Sequence, residues 1–104
     1  MPTAYITAPP SAAEDIAQTL VEERLAACVN SVDCESVYRW DGEIHDDEEV
    51  ILLAETTEAR YDALAERVVE IHPYEVPCVE RFEENDLLDT FADWRAGAVA
   101  DGEV

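Results

Sequence analysis

YRWDGEI, Tyr38 to Ile44, decides the fold. Its centre, Asp41-Gly42, tolerates positive φ at two successive residues, which a two-residue hairpin turn requires. Cys28 to Trp40 leads into it as one long strand-like run. A second run follows and contains EVILLAET, Glu49 to Thr56. Both predicted arms are longer than a chain of 104 residues needs to close its own core. An overhanging hairpin exposes unpaired backbone edges, which tend to pair with another chain.

Working outward, TAYITA, Thr3 to Ala8, is β-prone and stops at Pro9 and Pro10. The next segment, SAAEDIAQTLVEERLAAC, opens with Ser11 and Glu14 at the S-x-x-E spacing of a capping box. Ala13, Ile16, Ala17, Leu20, Val21 and Leu25 then recur at helical spacing, giving one apolar face. TEARYDALAERVVEIH predicts a second helix, with Thr57 as N-cap and Tyr61, Leu64, Ala65 and Val68 facing inward. CVERF, Cys78 to Phe82, reads as a short strand. NDLLDTFADWRAG predicts a last helix, capped by Asn85 or Asp86, with Leu87, Leu88, Phe91 and Trp94 as its apolar residues. Residues 96–104 are expected to form a loose acidic tail. The order is strand–helix–strand twice, then a helix. This predicts one α+β domain over 1–104: a ferredoxin-like split βαβ sandwich with an extended hairpin between its second and third strands and a C-terminal helix.

Charge narrows the partners. The net charge is −20, from 26 acids against six bases, all arginine. The acids are spread along the chain, as in a surface adapted to molar salt, where the Debye length falls to about 3 Å. No basic stripe exists to meet phosphates, which excludes nucleic acid as a partner. Cys28, Cys34 and Cys78 are an odd set without C-x-x-C spacing. They are expected as free thiols in a reducing cytoplasm. The N-terminal stretch lacks the basic and apolar regions of a signal peptide, and no apolar run is long enough to span a bilayer, so no membrane role is expected. Catalysis finds no support: there is no Ser-His-Asp arrangement, glycine-rich phosphate loop or H-E-x-x-H.

Five motifs in order resemble the CutA-type divalent-cation tolerance family. They are TAP at Thr7 to Pro9, LVEERLAACVN at Leu20 to Asn30, YRWDGEI, EEV at Glu48 to Val50, and HPYEVP at His72 to Pro77. WRAG at Trp94 is similar to the family's aromatic C-terminal helix, so the likeness runs from Thr3 to Trp94. The resemblance implies a homotrimer in which the long hairpin packs on neighbouring subunits. It also implies tolerance of, and in some members binding of, copper or another divalent cation, without catalysis. Three departures stand out. Ile6 occupies a place where some members carry a cysteine, Glu55 precedes Thr56 where many have lysine, and Ile71 precedes His72 where some have a second histidine.

Four residues are candidate metal ligands. His72 offers an imidazole suited to copper or zinc, and also suits a helix C-terminus. Cys28 offers a thiolate, although a cysteine in LAACV also suits a small buried apolar position. His45 begins the acidic run HDDEEV, and Glu49 is the acid expected nearest an interface. Tyr38, Trp40, Tyr74, Glu75 and Trp94 are expected at an intersubunit cleft. Such a cleft also fits a second reading: a small-ligand-binding regulatory trimer like the PII signalling proteins. An acylphosphatase-like enzyme ranks last, because TAPPSAAED supplies no arginine cradle after the first strand.

Overall fold

Asp41 and Gly42 adopt φ of 55° and 82°, and Trp40 pairs directly with Glu43 across them. The chain reverses in two residues, as the primed turn requires. In the computed structural model, which describes residues 1–100, this turn joins β2 (Cys28–Trp40) to β3 (Glu43–Glu55). Before them come β1 (Pro2–Ala8) and α1 (Pro10–Glu22). After them come α2 (Glu58–Ile71), β4 (Cys78–Glu83) and α3 (Asp89–Ala98). The sheet order is β2-β3-β1-β4, with every neighbouring pair antiparallel. The architecture is the α+β, ferredoxin-like one expected from the sequence.

Alternation along the strands sorts the two faces. Ala4, Ile6 and Ala8 of β1 lie beside Ala54, Leu52 and Val50 of β3, all buried. Ile16 and Leu20 of α1 and Leu64 and Val68 of α2 complete this core. The other face stays largely uncovered. It carries Tyr5 stacked on Phe82 at 5.4 Å, with Val32, Ile51 and Leu53 on neighbouring strands. β1 pairs with β3 only over residues 50–55, so residues 43–49 have β2 as their single neighbour. Those seven residues form a two-stranded arm about 23 Å long at ~3.3 Å per residue.

Several local expectations need correction. α1 is capped by Pro9 rather than Ser11, and no side chain bonds its first amides. Pro10 takes the first helical position, where its fixed φ suits the helix and its missing N–H is no loss. Val21, expected on the inner face, is exposed. The helix ends with Arg24 at φ 58°; the Arg24 amide donates to the Val21 carbonyl at 3.1 Å and the Leu25 amide to the Leu20 carbonyl at 2.9 Å. This is the Schellman closure, made here without glycine. Thr57 does hold the N-cap position of α2, without a side-chain bond. α3 starts at Asp89 after Leu88, not at Asn85 or Asp86; the Asp86 carboxylate instead accepts the Leu87 amide at 3.0 Å.

α3 also turns a different residue inward. Leu88 is 74% and Trp94 50% exposed, whereas Arg95 is 1% exposed. Residues 96–100 are not a loose tail. Ala96, Gly97 and Ala98 finish α3, and Val99 is buried. Arg24 Nη1 donates to the Ala98 carbonyl at 3.2 Å and Arg60 Nε to the Val99 carbonyl at 2.9 Å. Two guanidinium groups thus satisfy carbonyls at a helix C-terminus, where positive charge is favoured. The rest of the expected tail, 101–104, lies outside the described residues.

Thr56 fixes the turn between β3 and α2. It is fully buried, and its hydroxyl donates to the Leu25 carbonyl at 2.6 Å. Thr56→Val keeps the shape and removes the donor. Leaving that carbonyl unpaired is expected to cost about 1–3 kcal/mol. Urea unfolding in molar KCl checks this, and a midpoint unchanged from the parent chain would contradict it.

Candidate functional site

The segment HPYEVP wraps the end of the sheet. Pro73 ends α2, and His72 at its C-cap is buried. Both ring nitrogens of His72 are engaged. Nε2 lies 2.8 Å from the Thr7 carbonyl, and the Tyr74 amide donates to Nδ1 at 3.1 Å. This pattern fits the neutral tautomer with its proton on Nε2. A metal at His72 would displace one of these partners. In the free chain His72 pins the loop to the end of β1.

That pin sets Tyr74. Its ring lies 4.8 Å from the His72 ring, and its hydroxyl donates to Glu49 Oε2 at 2.8 Å. Glu49 is 6% exposed. Burial, reinforced by the Glu49 carboxylate, raises the Tyr74 phenol well above its ordinary pKa. Tyr38 repeats the arrangement on the arm: its hydroxyl donates to Asp47 Oδ2 at 2.6 Å, and its ring stacks on His45 at 5.4 Å. The Asp47 hydrogen bond raises its pKa in turn.

Of the five residues expected at an intersubunit cleft, four lie together within one chain. Tyr38, Trp40, Tyr74 and Glu75 line one groove of about 430 Å³ with Pro73 and Val76. A second depression of about 530 Å³ adjoins it, sharing Tyr38, Tyr74 and Val76 and reaching Glu49 and Cys78. Trp94 does not join them. It sits on α3, tilted against Phe91 at 5.6 Å.

The metal candidates are scattered within one chain. Glu49 and His72 both contact Tyr74, but His45 lies out on the arm opposite Tyr38. Cys28 pairs with Glu55, six residues along β3 from Glu49, or about 20 Å. Among the described residues no three His, Cys, Asp or Glu side chains converge as a metal cluster. All three cysteines are free and share the uncovered face of the sheet: Cys28 opposite Glu55, Cys34 opposite Glu49, and Cys78 opposite Thr7. Burial raises the Cys28 and Cys78 thiols above their usual range, so both favour the protonated form.

One cluster was not foreseen. Arg95 Nη1 donates to Glu84 Oε1 at 2.7 Å and to the Pro2 carbonyl at 3.3 Å, while Nη2 lies 3.8 Å from Glu55 Oε1. Thr3 also donates to Glu84 Oε1 at 2.7 Å. Burial opposes ionisation of Glu84, but Thr3 and Arg95 outweigh it and hold its carboxyl below the ordinary range. The signal for this cluster was the scarcity of arginine. Of six arginines, Arg24 and Arg60 cap α3, Arg67 bridges Glu23 and Glu70, Arg81 pairs with Glu58 and Glu83, and Arg95 holds the sheet's end.

The profile described as "CutA1 divalent ion tolerance protein" matches residues 3–98. The divalent-cation tolerance protein CutA of Pyrococcus horikoshii is 37% identical over 91 residues, covering 86% of this chain and 89% of that protein. The CutA homolog of Xenopus laevis is 47% identical over 75 residues, covering 70% of this chain and half of that longer protein. A solved structure described as a PII-like protein CutA from Nostoc sp. PCC 7120, in apo form, superposes with a TM-score of 0.92 at 34% identity. It covers 96% of this chain and 98% of its own.

Proposed function

The chain belongs to the CutA1 divalent ion tolerance protein family, and from that premise we propose a non-enzymatic homotrimer of the cytoplasm that binds copper or another divalent ion and responds to it. The uncovered sheet face is the observation that carries this reading. Phe82 and Val32 are about half exposed there, beside Tyr5 and three free thiols. A second copy buries that apolar area and satisfies the free edge of β2, which is 13 residues long. Assembly around an axis also answers the scatter of ligands. Cys28, His45 and Glu49 cannot share an ion within a chain, so the proposed site draws on more than one chain. His72 contributes only by releasing Thr7 or Tyr74. Copper suits thiolate and imidazole, whereas Mg²⁺ suits carboxylate, carbonyl and water oxygens. Among the described residues no helix is long and apolar enough to cross a membrane.

Light scattering in molar KCl is expected to give a particle of three 11.6 kDa chains. Calorimetry on the same sample is expected to show Cu²⁺ binding that weakens in Cys28→Ser, His45→Ala or His72→Ala. A monomeric particle removes the assembly. Binding unchanged in all three variants removes these residues as ligands.

The aromatic groove favours a second reading, a small-ligand-binding regulatory trimer like PII proteins. Its mark is thermal stabilisation of chelator-treated protein by a metabolite.

A further inference from the structure

The groove at the base of the arm has a defined chemistry. Tyr38, Trp40 and Tyr74 form aromatic walls, and Glu75 adds a carboxylate. Among the described residues of one chain no lysine, arginine or histidine lines it or the adjoining depression, although the His45 ring backs Tyr38 and the His72 ring backs Tyr74. Arg39 stands between Tyr38 and Trp40 in sequence, but strand alternation puts it on the opposite face of the arm. Glu49 and Glu35 line the adjoining depression. From this arrangement we propose that the groove binds a small alkylammonium cation, held between the faces of Tyr38, Trp40 and Tyr74 with Glu75 as its counter-ion.

The ring quadrupole attracts cations to an aromatic face within about 6 Å of its centroid, and tryptophan does so best. Two features strengthen the walls. The Tyr38 and Tyr74 hydroxyls both donate to carboxylates, Asp47 and Glu49. Donation to an anion enriches the ring in electron density and orients it. Both phenols also stay protonated, since their pKa values are raised. A bare metal ion gains little here, because only one carboxylate lines the groove and hydration must be surrendered to the ring faces. A quaternary alkylammonium is weakly hydrated, carries its charge under methyl groups, and covers apolar area on Val76 and Pro73 as well. An anionic metabolite meets like charge from Glu75 and from a chain of net charge −20.

This inference rests on the small-ligand reading above and not on metal binding. The test uses Trp94→Phe, which leaves Trp40 as the single tryptophan reporter. Tetramethylammonium chloride replaces KCl at constant 1 M chloride, a concentration that keeps the Debye length near 3 Å. The neutral tert-butyl alcohol is titrated in parallel. A saturable Trp40 fluorescence change with tetramethylammonium is expected, at least about tenfold tighter than with the alcohol. Tyr74→Leu should weaken it about tenfold, and Glu75→Gln, at an exposed position that does not threaten folding, about threefold. Equal responses to ion and alcohol, a response without saturation, or binding unchanged in Glu75→Gln would each overturn the proposal. Stabilisation of chelator-treated protein by other metabolites without a tetramethylammonium response would also overturn it, while leaving the small-ligand reading intact.

Discussion

Replacing Arg95 with methionine is expected to lower the unfolding free energy by about 3–5 kcal/mol, the usual result of removing one partner from a buried ion pair. The guanidinium is almost wholly shielded, and it neutralises Glu84 and Glu55 while bonding the Pro2 and Thr56 carbonyls. Methionine fills much of the volume but removes the counter-charge of Glu84 and Glu55 and a donor to the Pro2 and Thr56 carbonyls, leaving Glu84 with the Thr3 hydroxyl and Pro2 with the Thr56 amide. Glu84→Gln in the methionine background should recover part of the loss, because one stranded charge disappears. Urea denaturation of the four chains of this cycle, in molar KCl, measures the coupling. A loss below about 1 kcal/mol, the range of an exposed pair, would show that the cluster is solvated. The pH dependence has a definite sign. The folded-state pKa of Glu84 is depressed, so its stabilisation is present above the unfolded glutamate pKa of about 4.3 and disappears as pH falls through the folded value. Arg95→Met should therefore lie closer to the parent chain at acid pH than at pH 7.

The second large effect is the response to salt. One chain exposes 6513 Å² for 20 excess negative charges, or about 330 Å² each, a mean spacing of roughly 18 Å. At 1 M salt the Debye length of about 3 Å isolates those charges, whereas at 0.01 M it reaches about 30 Å and every charge feels its neighbours. Circular dichroism on dialysis from 2 M KCl to 0.01 M is expected to show loss of the folded state at 25 °C. Partial recovery is expected near pH 4.5, as carboxylates protonate. A melting temperature that stays within a few degrees across this range would show that the acidic surface tolerates its own field.

The elements were legible because their signals were local. Asp41-Gly42 requires a turn whatever surrounds it, and the 3.6-residue stripe of Leu64 and Val68 marks a buried helix face directly. Tyr38, Trp40, Tyr74 and Glu75 were grouped from the sequence as residues of an intersubunit cleft, and within one chain they line one groove. α3 was misjudged because hydrophobicity patterns assume an apolar interior. Its inward residue is an arginine whose burial depends on Glu84, Glu55 and two carbonyls brought from distant parts of the chain. The engagement of both His72 nitrogens was hidden for the same reason. One partner, Thr7, lies 65 residues away.

β1 is the inner strand that bridges β3 and β4, and the carbonyl of its first residue receives Arg95. During synthesis this strand emerges before the partners it needs and must wait for them. Ala4 meets Ala54 only after the whole arm is made, and Thr7 meets Cys78 later still. At translation rates of about 5–20 residues per second, some 76 residues between Pro2 and Cys78 amount to roughly 4–15 s. The hairpin, whose partners are close in sequence, can form during that interval and offer β3 as a template. α3 then arrives as a latch, and its arginine ties the last of these elements to be made back to the first residue of β1.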